Sequence, residues 1–177
     1  LGLDYVDMYL IHWPCANRDL FSDTYRALET LYREGKVRAI GVCNFQPAHL
    51  DRLLESAEVV PAVNQIELHP WLQQVELREK HHTLGIRTEA WSPLGRGHVL
   101  SDSVVLALAA EHGRTAAQII LRWHIQLGNI AIPKASSEAR IRENLDVFGF
   151  ELSDRDTAAL AELDRGQRTG SHPDNVN

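Results

Sequence analysis

Five strand-like segments of the chain end in polar or aromatic residues. The five strand ends are His12-Trp13, Cys43-Asn44, Gln65 to His69, Trp91-Ser92-Pro93 and Pro133-Lys134. A histidine at a strand end can act as an acid, as a hydrogen-bond donor or as a metal ligand. Each residue alone has a plainer explanation, such as a buried histidine, a turn asparagine or a solvated lysine. Five such ends in one chain favour a shared site.

The last strand end has the composition of an anion site. Lys134 precedes a serine pair that leads into a helix carrying Arg140, Glu143 and Asn144. Free backbone N–H groups at a helix start attract anions, and two cations lie close by. Spacings of three and one place the three helix residues on roughly one side. The alternative is a solvated helix face.

Strand-like and helix-like segments alternate along all 177 residues. The apolar patterns predict strands at 5–11, 37–43, 62–67, 87–91 and 130–132. They predict helices from residue 21 to a stop at Gly35, and at 47–56, 75–84, 102–112, 116–127, 137–144 and 154–163. Capping signatures stand at Thr115-x-x-Gln118 and Ser153-x-x-Asp156. The histidines His81 and His82 are expected on a solvated helix face.

Alternating strands and helices predict an α/β fold with a parallel sheet. No GxGxxG follows the first strand, which favours a barrel over an open dinucleotide-binding sheet. Eight barrel units need about 250 residues, so five units fit this length. We therefore predict a single domain over 1–177 that is a partial (β/α)8 TIM barrel. We expect it to be the C-terminal part of a longer protein whose N-terminal units precede it.

Composition excludes several classes of partner. The net charge is -6, and no basic stripe indicates nucleic acid. No run of about 18 apolar residues indicates a membrane span. The isolated cysteines Cys15 and Cys43 are typical of a reducing cytoplasm.

Five segments resemble the aldo-keto reductase superfamily, in the order in which that family carries them. The segments are LGLDYVDMYLIHWP, GKVRAIGVCNF, PAVNQIELHP, EAWSPLGRG and IPKASSEARIRENLDVF. The ending Ser171-His172-Pro173-Asp174 and the short loops are most similar to bacterial reductases of the 2,5-diketo-D-gluconate type. The resemblance implies a (β/α)8 barrel in which this chain supplies strands four to eight.

The resemblance also implies NADP(H) as cofactor and a role for each strand-end residue. His12 matches the catalytic histidine that hydrogen-bonds the substrate carbonyl, and Trp13 matches a substrate-pocket residue. Cofactor-binding positions near the nicotinamide carboxamide are implied for Cys43, Asn44 and Gln65, and a position against the nicotinamide ring is implied for Trp91. At the pyrophosphate the implied residues are Ser92, Leu94 and Arg96. Around the 2′-phosphate they are Lys134, Ser136 and Arg140, and at adenine they are Glu143 and Asn144.

The chain departs from the family pattern at three points. Cys43 and Ala135 stand where the family commonly has serine, which weakens the implied carboxamide contact and the NADP preference. The family's catalytic aspartate, tyrosine and lysine come from strands that precede these residues. Tyr9 does not replace the tyrosine, because it lies three residues before His12 on a strand and faces the opposite side.

The resemblance therefore implies an NADPH-dependent oxidoreductase that reduces aldehyde or ketone carbonyls by hydride transfer. We expect small polar carbonyl substrates, a cytoplasmic location and a monomeric full-length protein. The 177-residue chain alone is expected to be inactive. One alternative is a non-catalytic NADP-binding fragment or pseudoenzyme. A metal-dependent barrel hydrolase using His12, Glu67 and His69 is another, although no HxH or HExxH pair is present.

Overall fold

The computed structural model describes residues 2–176, and its five strands belong to one sheet in chain order. The strands are β1 (Val6–Ile11), β2 (Val37–Cys43), β3 (Val63–Glu67), β4 (Arg87–Trp91) and β5 (Ile130–Ala131). Strand β1 pairs in parallel with β2, β2 with β3, and β4 with β5. The predicted α/β class and all five predicted strands are confirmed, with ends within one residue.

Seven α-helices are present in the described part of the chain. They are α1 (Phe21–Arg33), α2 (Pro47–Leu54), α3 (Val75–Leu84), α4 (Ser103–His112), α5 (Ala116–Gln126), α6 (Glu138–Leu145) and α7 (Asp154–Ala161). Short 3-10 helices cover Ala16–Arg18, Gly95–Ser101 and Pro173–Asn175. Every predicted helix is confirmed, with ends that differ by at most two residues.

Side-chain caps fix where the later helices begin. At α5 the Gln118 amide donates to Thr115 Oγ1 over 3.2 Å, and the Thr115 amide donates to Gln118 Oε1 over 3.0 Å. Ser153 and Asp156 form the same reciprocal pair at α7. Both predicted capping boxes are therefore confirmed. Ser137, predicted as the first residue of α6, is instead its N-cap.

The described residues divide into two compact units, which are considered separately. The first unit comprises the residues up to Ile66, Val75–Thr88 and the residues from Ser171 onwards. Its core is built from one apolar stripe of α1 and α2 and from the residues of β2 and β3. The fully buried members include Tyr25, Ile40, Val42, Phe45, Leu50, Leu53 and Ile66. Tyr32 of α1 is 41% exposed and lies at the edge of this core.

The second unit comprises Glu67–Gln74 and Glu89–Gly170. Its core is formed mainly by α4, α5 and α7 and includes the buried indole of Trp123. Buried members include Val99, Val105, Ile119, Ile120, Trp123, Val147 and Leu160. No single helix among residues 2–176 is long and apolar enough to cross a membrane. The pair α4–α5 reaches that length and composition only when combined, and it bends by 91° at its break.

His81 is buried, so the prediction that it lies on a solvated face is wrong. Its Nε2 lies 2.9 Å from Asn64 Nδ2, and its Nδ1 lies 2.9 Å from Thr88 Oγ1. Burial lowers the pKa of His81 to about 4, so the ring is neutral, and Nε2 accepts the bond from the amide. The reason is helical spacing: His81 follows the buried Leu77 by four residues, whereas His82 points to solvent.

Candidate functional site

Three of the predicted site residues meet in the first unit, where β1, β2 and β3 end. His12 directly follows β1 and is exposed. The Asn44 side-chain amide donates to the His12 backbone carbonyl over 3.0 Å, and the Asn44 backbone amide donates to the Gln65 carbonyl over 2.8 Å. Asn44 has φ 63°, a left-handed conformation that asparagine tolerates better than most residues. The indole of Trp13 lies 5.8 Å from the imidazole of His12.

A buried asparagine supports this strand end from the neighbouring strand. Asn64 Nδ2 donates to the Phe45 carbonyl over 2.8 Å, and Asn64 Oδ1 accepts from the Phe45 amide over 3.3 Å. Cys43 is buried and lies opposite Gln65 in the register of β2 and β3. The sequence reasoning missed Asn64. Its one signal is that a polar side chain in a strand must find partners when it is buried.

The loop after β4, in the second unit, contains four residues with positive φ. These are Ser92 (φ 47°), Gly95 (φ 54°), Arg96 (φ 53°) and Gly97 (φ 92°). The Gly95 amide donates to the Ser92 carbonyl over 2.8 Å, and the Gly97 amide donates to the Leu94 carbonyl over 2.9 Å. Non-glycine residues held in this region cost about 1–3 kcal/mol each and are typical of ligand-binding loops. The predicted pyrophosphate segment therefore carries the strain expected of a functional loop.

A cavity of about 830 Å³ opens beside this loop. It collects seven of the predicted cofactor residues, drawn from the loop, from the segment after β5 and from α6. They are Ser92, Leu94, Arg96, Lys134, Arg140, Glu143 and Asn144. The three α6 residues face the same cavity, as their spacing predicts. The first turn of α5, Thr115–Ala117, also lines it and was not predicted, although the capping box at Thr115 marks a helix start there.

The cavity is lined by cations, and two of them have no partner among the described residues. Lys134 and Arg140 are exposed, and no described residue forms an ion pair or hydrogen bond with either side chain. Glu143 is instead engaged, because its Oε1 accepts from Thr115 Oγ1 over 2.6 Å. Two unpaired cations at the start of an eight-residue helix form a favourable environment for a phosphate group. The residues present therefore fit a phosphorylated ligand.

Two predicted cofactor residues of the second unit lie outside the lining of this cavity. Ser136 is exposed and does not line it. Trp91 is half-buried at the end of β4, where the backbone of Gly170 lies against the edge of its indole. A second cavity of about 440 Å³ is lined mainly by apolar residues of α5, β5 and α6, and no cation lines it. The larger cavity is therefore the one suited to a phosphate.

Glu67 and His69, considered as metal ligands, form a buried pair in the second unit. His69 Nε2 lies 3.3 Å from Glu67 Oε1. Among residues 2–176 no group of three His, Cys, Asp or Glu side chains could hold a metal ion.

Comparison with known proteins identifies the family. The model of the aldo/keto reductase family matches residues 1–165. An aldo-keto reductase of Mycolicibacterium smegmatis is 54% identical over 177 residues, which is 100% of this chain and 64% of that protein. The glyoxal reductase of Bacillus subtilis is 51% identical over 176 residues, which is 99% of this chain and 63% of that protein. The chain thus spans less than two thirds of the length of these relatives.

Solved structures agree with the sequence comparisons. A crystal structure of a Gox0644 mutant in complex with NADPH matches with a TM-score of 0.95 and 47% identity, covering 98% of this chain and 65% of that one. A crystal structure of an aldo/keto reductase from Brucella melitensis matches with a TM-score of 0.88 and 53% identity, covering 93% of this chain and 63% of that one. The fold is accordingly a partial barrel, and the chain belongs to the aldo/keto reductase family.

Proposed function

We propose that the chain is the NADP(H)-binding part of a reductase that converts aldehyde or ketone carbonyls to alcohols. The observation that carries the proposal is the cavity of the second unit, with Lys134 and Arg140 unpaired among the described residues. These two cations would hold the 2′-phosphate, and Glu143 and Asn144 would contact adenine. A relative's structure contains NADPH, which supports this assignment.

In the first unit, the strand ends supply the groups that act on the substrate. NADPH, when bound, supplies the hydride. His12 is exposed at the end of β1 and would donate a hydrogen bond to the substrate carbonyl oxygen, which stabilises the charge that develops there. The bond from Asn44 to the His12 carbonyl holds this strand end in place. Asn44 and Gln65 would bind the nicotinamide carboxamide through their amides.

The proposed chemistry is incomplete within residues 1–177. The family resemblance assigns proton donation to a tyrosine, assisted by an aspartate and a lysine, and these match no residue of this chain. We therefore propose that the 177-residue chain binds NADPH but does not reduce carbonyls by itself. Between β1 and α1 the connection holds only one short 3-10 helix, Ala16–Arg18, which favours small polar carbonyls in the complete enzyme.

Turnover is tested by following NADPH absorbance at 340 nm with the purified chain and glyoxal or methylglyoxal. The proposal predicts binding, seen as a change in NADPH fluorescence, without loss of absorbance above the rate of a blank. NADPH oxidation that depends on both the chain and the aldehyde would overturn the claim that the chain is inactive alone. Cys15 and Cys43 are present as thiols, which supports a cytoplasmic location for the protein.

A further inference from the structure

Glu67 is a fully buried carboxylate at the end of β3 that holds a distant segment of the second unit. Its Oε1 accepts from the Thr169 amide over 2.6 Å and from Thr169 Oγ1 over 2.5 Å. The Gly170 amide donates to both carboxylate oxygens, over 3.1 and 3.2 Å. The Arg168 guanidinium lies 3.8 Å from Oε2. One buried charge thus engages three successive residues, 168–170, near the end of the chain.

Hydrogen bonds keep this carboxylate ionised. Burial alone would raise the pKa of Glu67, but the bonds from His69, Thr169 and Gly170 outweigh burial and lower the pKa to about 2. An ionised carboxylate can only accept hydrogen bonds, so His69 Nε2 is the donor in that pair. Glu67 therefore has no proton to give at neutral pH. Its bonds to Thr169 and Gly170 favour a positioning role.

The segment that Glu67 holds lies directly against Trp91. A Cβ atom added to Gly170 would come within 2.4 Å of Trp91 Cη2 and 3.1 Å of Cζ3. Carbon atoms make favourable contact at about 3.5–4.0 Å, so no side chain fits between this backbone and the indole. Trp91 is also tied at its backbone, where its carbonyl accepts from the Leu68 amide over 3.4 Å. The edge of the Trp91 indole therefore packs against the Gly170 backbone, which the buried Glu67 carboxylate holds in place.

We infer that Glu67 is a positioning residue that sets the location of the Trp91 indole through Thr169 and Gly170. The functional part of the inference rests on the proposed function and on the role that the family resemblance implies for Trp91, which is to stack on the nicotinamide ring. An aromatic ring held at one edge offers its face without the cost of ordering it on binding. Residues 168–170 therefore help to determine the position of the nicotinamide ring. They act on the cofactor indirectly, through Trp91.

The first test reads the indole without any cofactor. The chain is labelled with 5-fluorotryptophan, and the fluorine signal of Trp91 is assigned with Trp91→Phe. Gly170→Ala is expected to shift the Trp91 signal and to leave those of Trp13, Trp71 and Trp123 unchanged. Gly149→Ala is the matched control, because a Cβ there meets only the end of Arg114 at 3.6 Å. An unshifted Trp91 signal in Gly170→Ala would overturn the inference.

The second test measures binding at both ends of the cofactor. Gly170→Ala and Thr169→Val are expected to weaken NADPH about three- to tenfold, the range of an aromatic stacking contact. Binding of adenosine 2′,5′-bisphosphate, which lacks nicotinamide, should stay unchanged. An equal loss of affinity for the two ligands, or no loss of affinity for either, would contradict the positioning role. Failure of the parent chain to bind either ligand would instead overturn the proposed function, and the fluorine signal would still decide whether Gly170 sets the ring. Glu67→Gln, if it folds, should reproduce the Gly170→Ala shift.

Discussion

The Asn44 side-chain amide donates a 3.0 Å hydrogen bond to the backbone carbonyl of His12. This bond joins the residues that follow β1 and β2, and it orients the backbone that carries the exposed imidazole. Asn44 itself is 3% exposed, and its own backbone amide is bound to the Gln65 carbonyl. The proposed substrate-orienting histidine is therefore held by a residue that the family resemblance assigns to the cofactor.

The first prediction concerns this bond. Asn44→Asp keeps the shape of the side chain but replaces the donor NH₂ with a carboxylate oxygen facing a carbonyl. We expect a loss of about 1–3 kcal/mol in the free energy of unfolding, because a buried acceptor would face another acceptor. Urea unfolding measures it, with Asn175→Asp at an exposed position as the control. Equal stability of the two variants would contradict the importance of the bond.

A second prediction separates the cavity cations from other charges on the same helix. Arg140→Met removes a cation that lines the cavity, whereas Arg142→Met removes one that is 77% exposed and paired with Glu138 at 2.7 Å. We expect Arg140→Met to weaken NADPH binding about tenfold and to leave NADH binding nearly unchanged, because only NADPH carries the 2′-phosphate. Isothermal titration gives both constants. A similar loss in Arg142→Met would indicate a general charge effect instead.

The third prediction is a pH dependence of stability that arises from His81. The folded state keeps this ring neutral down to a pKa of about 4, whereas the unfolded chain takes up the proton near 6.5. Between these values the unfolded state binds more protons, so stability decreases as the pH falls from 6.5 to 4. The contribution amounts to about 3 kcal/mol at most. Above pH 6.5 it is constant.

Denaturant unfolding at several pH values measures this effect. His81→Gln should flatten the slope between pH 6.5 and 4, whereas His82→Gln, at the adjacent exposed position, should leave it unchanged. If both variants kept the slope of the parent chain, another group would have to carry the dependence.

The fourth prediction concerns the close approach of β2 and β3. A Cβ atom at Gly41 would lie 2.5 Å from the Val63 carbonyl oxygen and 2.9 Å from Leu10 Cδ2. Because the oxygen belongs to the backbone, the strand itself would have to shift. We expect Gly41→Ala to cost about 1–3 kcal/mol, the range of overpacking in a core. Gly149→Ala should change stability by much less in the same thermal melt, and a comparable loss there would contradict the steric explanation.

Sequence patterns predicted the elements and much of the cavity for physical reasons. Strand periodicity, the Thr115 and Ser153 capping boxes and the spacing of Arg140, Glu143 and Asn144 all act over a few residues, so they can be recognised in the chain itself. The contacts that hold the site join distant residues. Glu67 and Thr169 are far apart in sequence, and neither has a local pattern that indicates the other.

The burial of His81 is a second case in which local sequence patterns do not show the contacts of a residue. Two adjacent histidines in a polar helix look alike in composition, and the four-residue spacing from Leu77 indicates burial of His81 only once Leu77 is known to be buried. Asn64 was missed for a related reason, since its partners Phe45 and His81 come from other elements. The roles assigned to all the site residues stay predictions, and two of these residues, Trp91 and Ser136, do not line the cavity of the second unit.

The cavity lined by Lys134 and Arg140 is proposed to bind the 2′-phosphate of NADP(H). Isothermal titration of the 177-residue chain with NADPH and with NADH tests this binding, because the two ligands differ only in that phosphate. We expect NADPH to bind about tenfold or more tightly than NADH, and rising salt concentration to reduce the difference. Equal affinity for the two cofactors, or binding of neither, would contradict it.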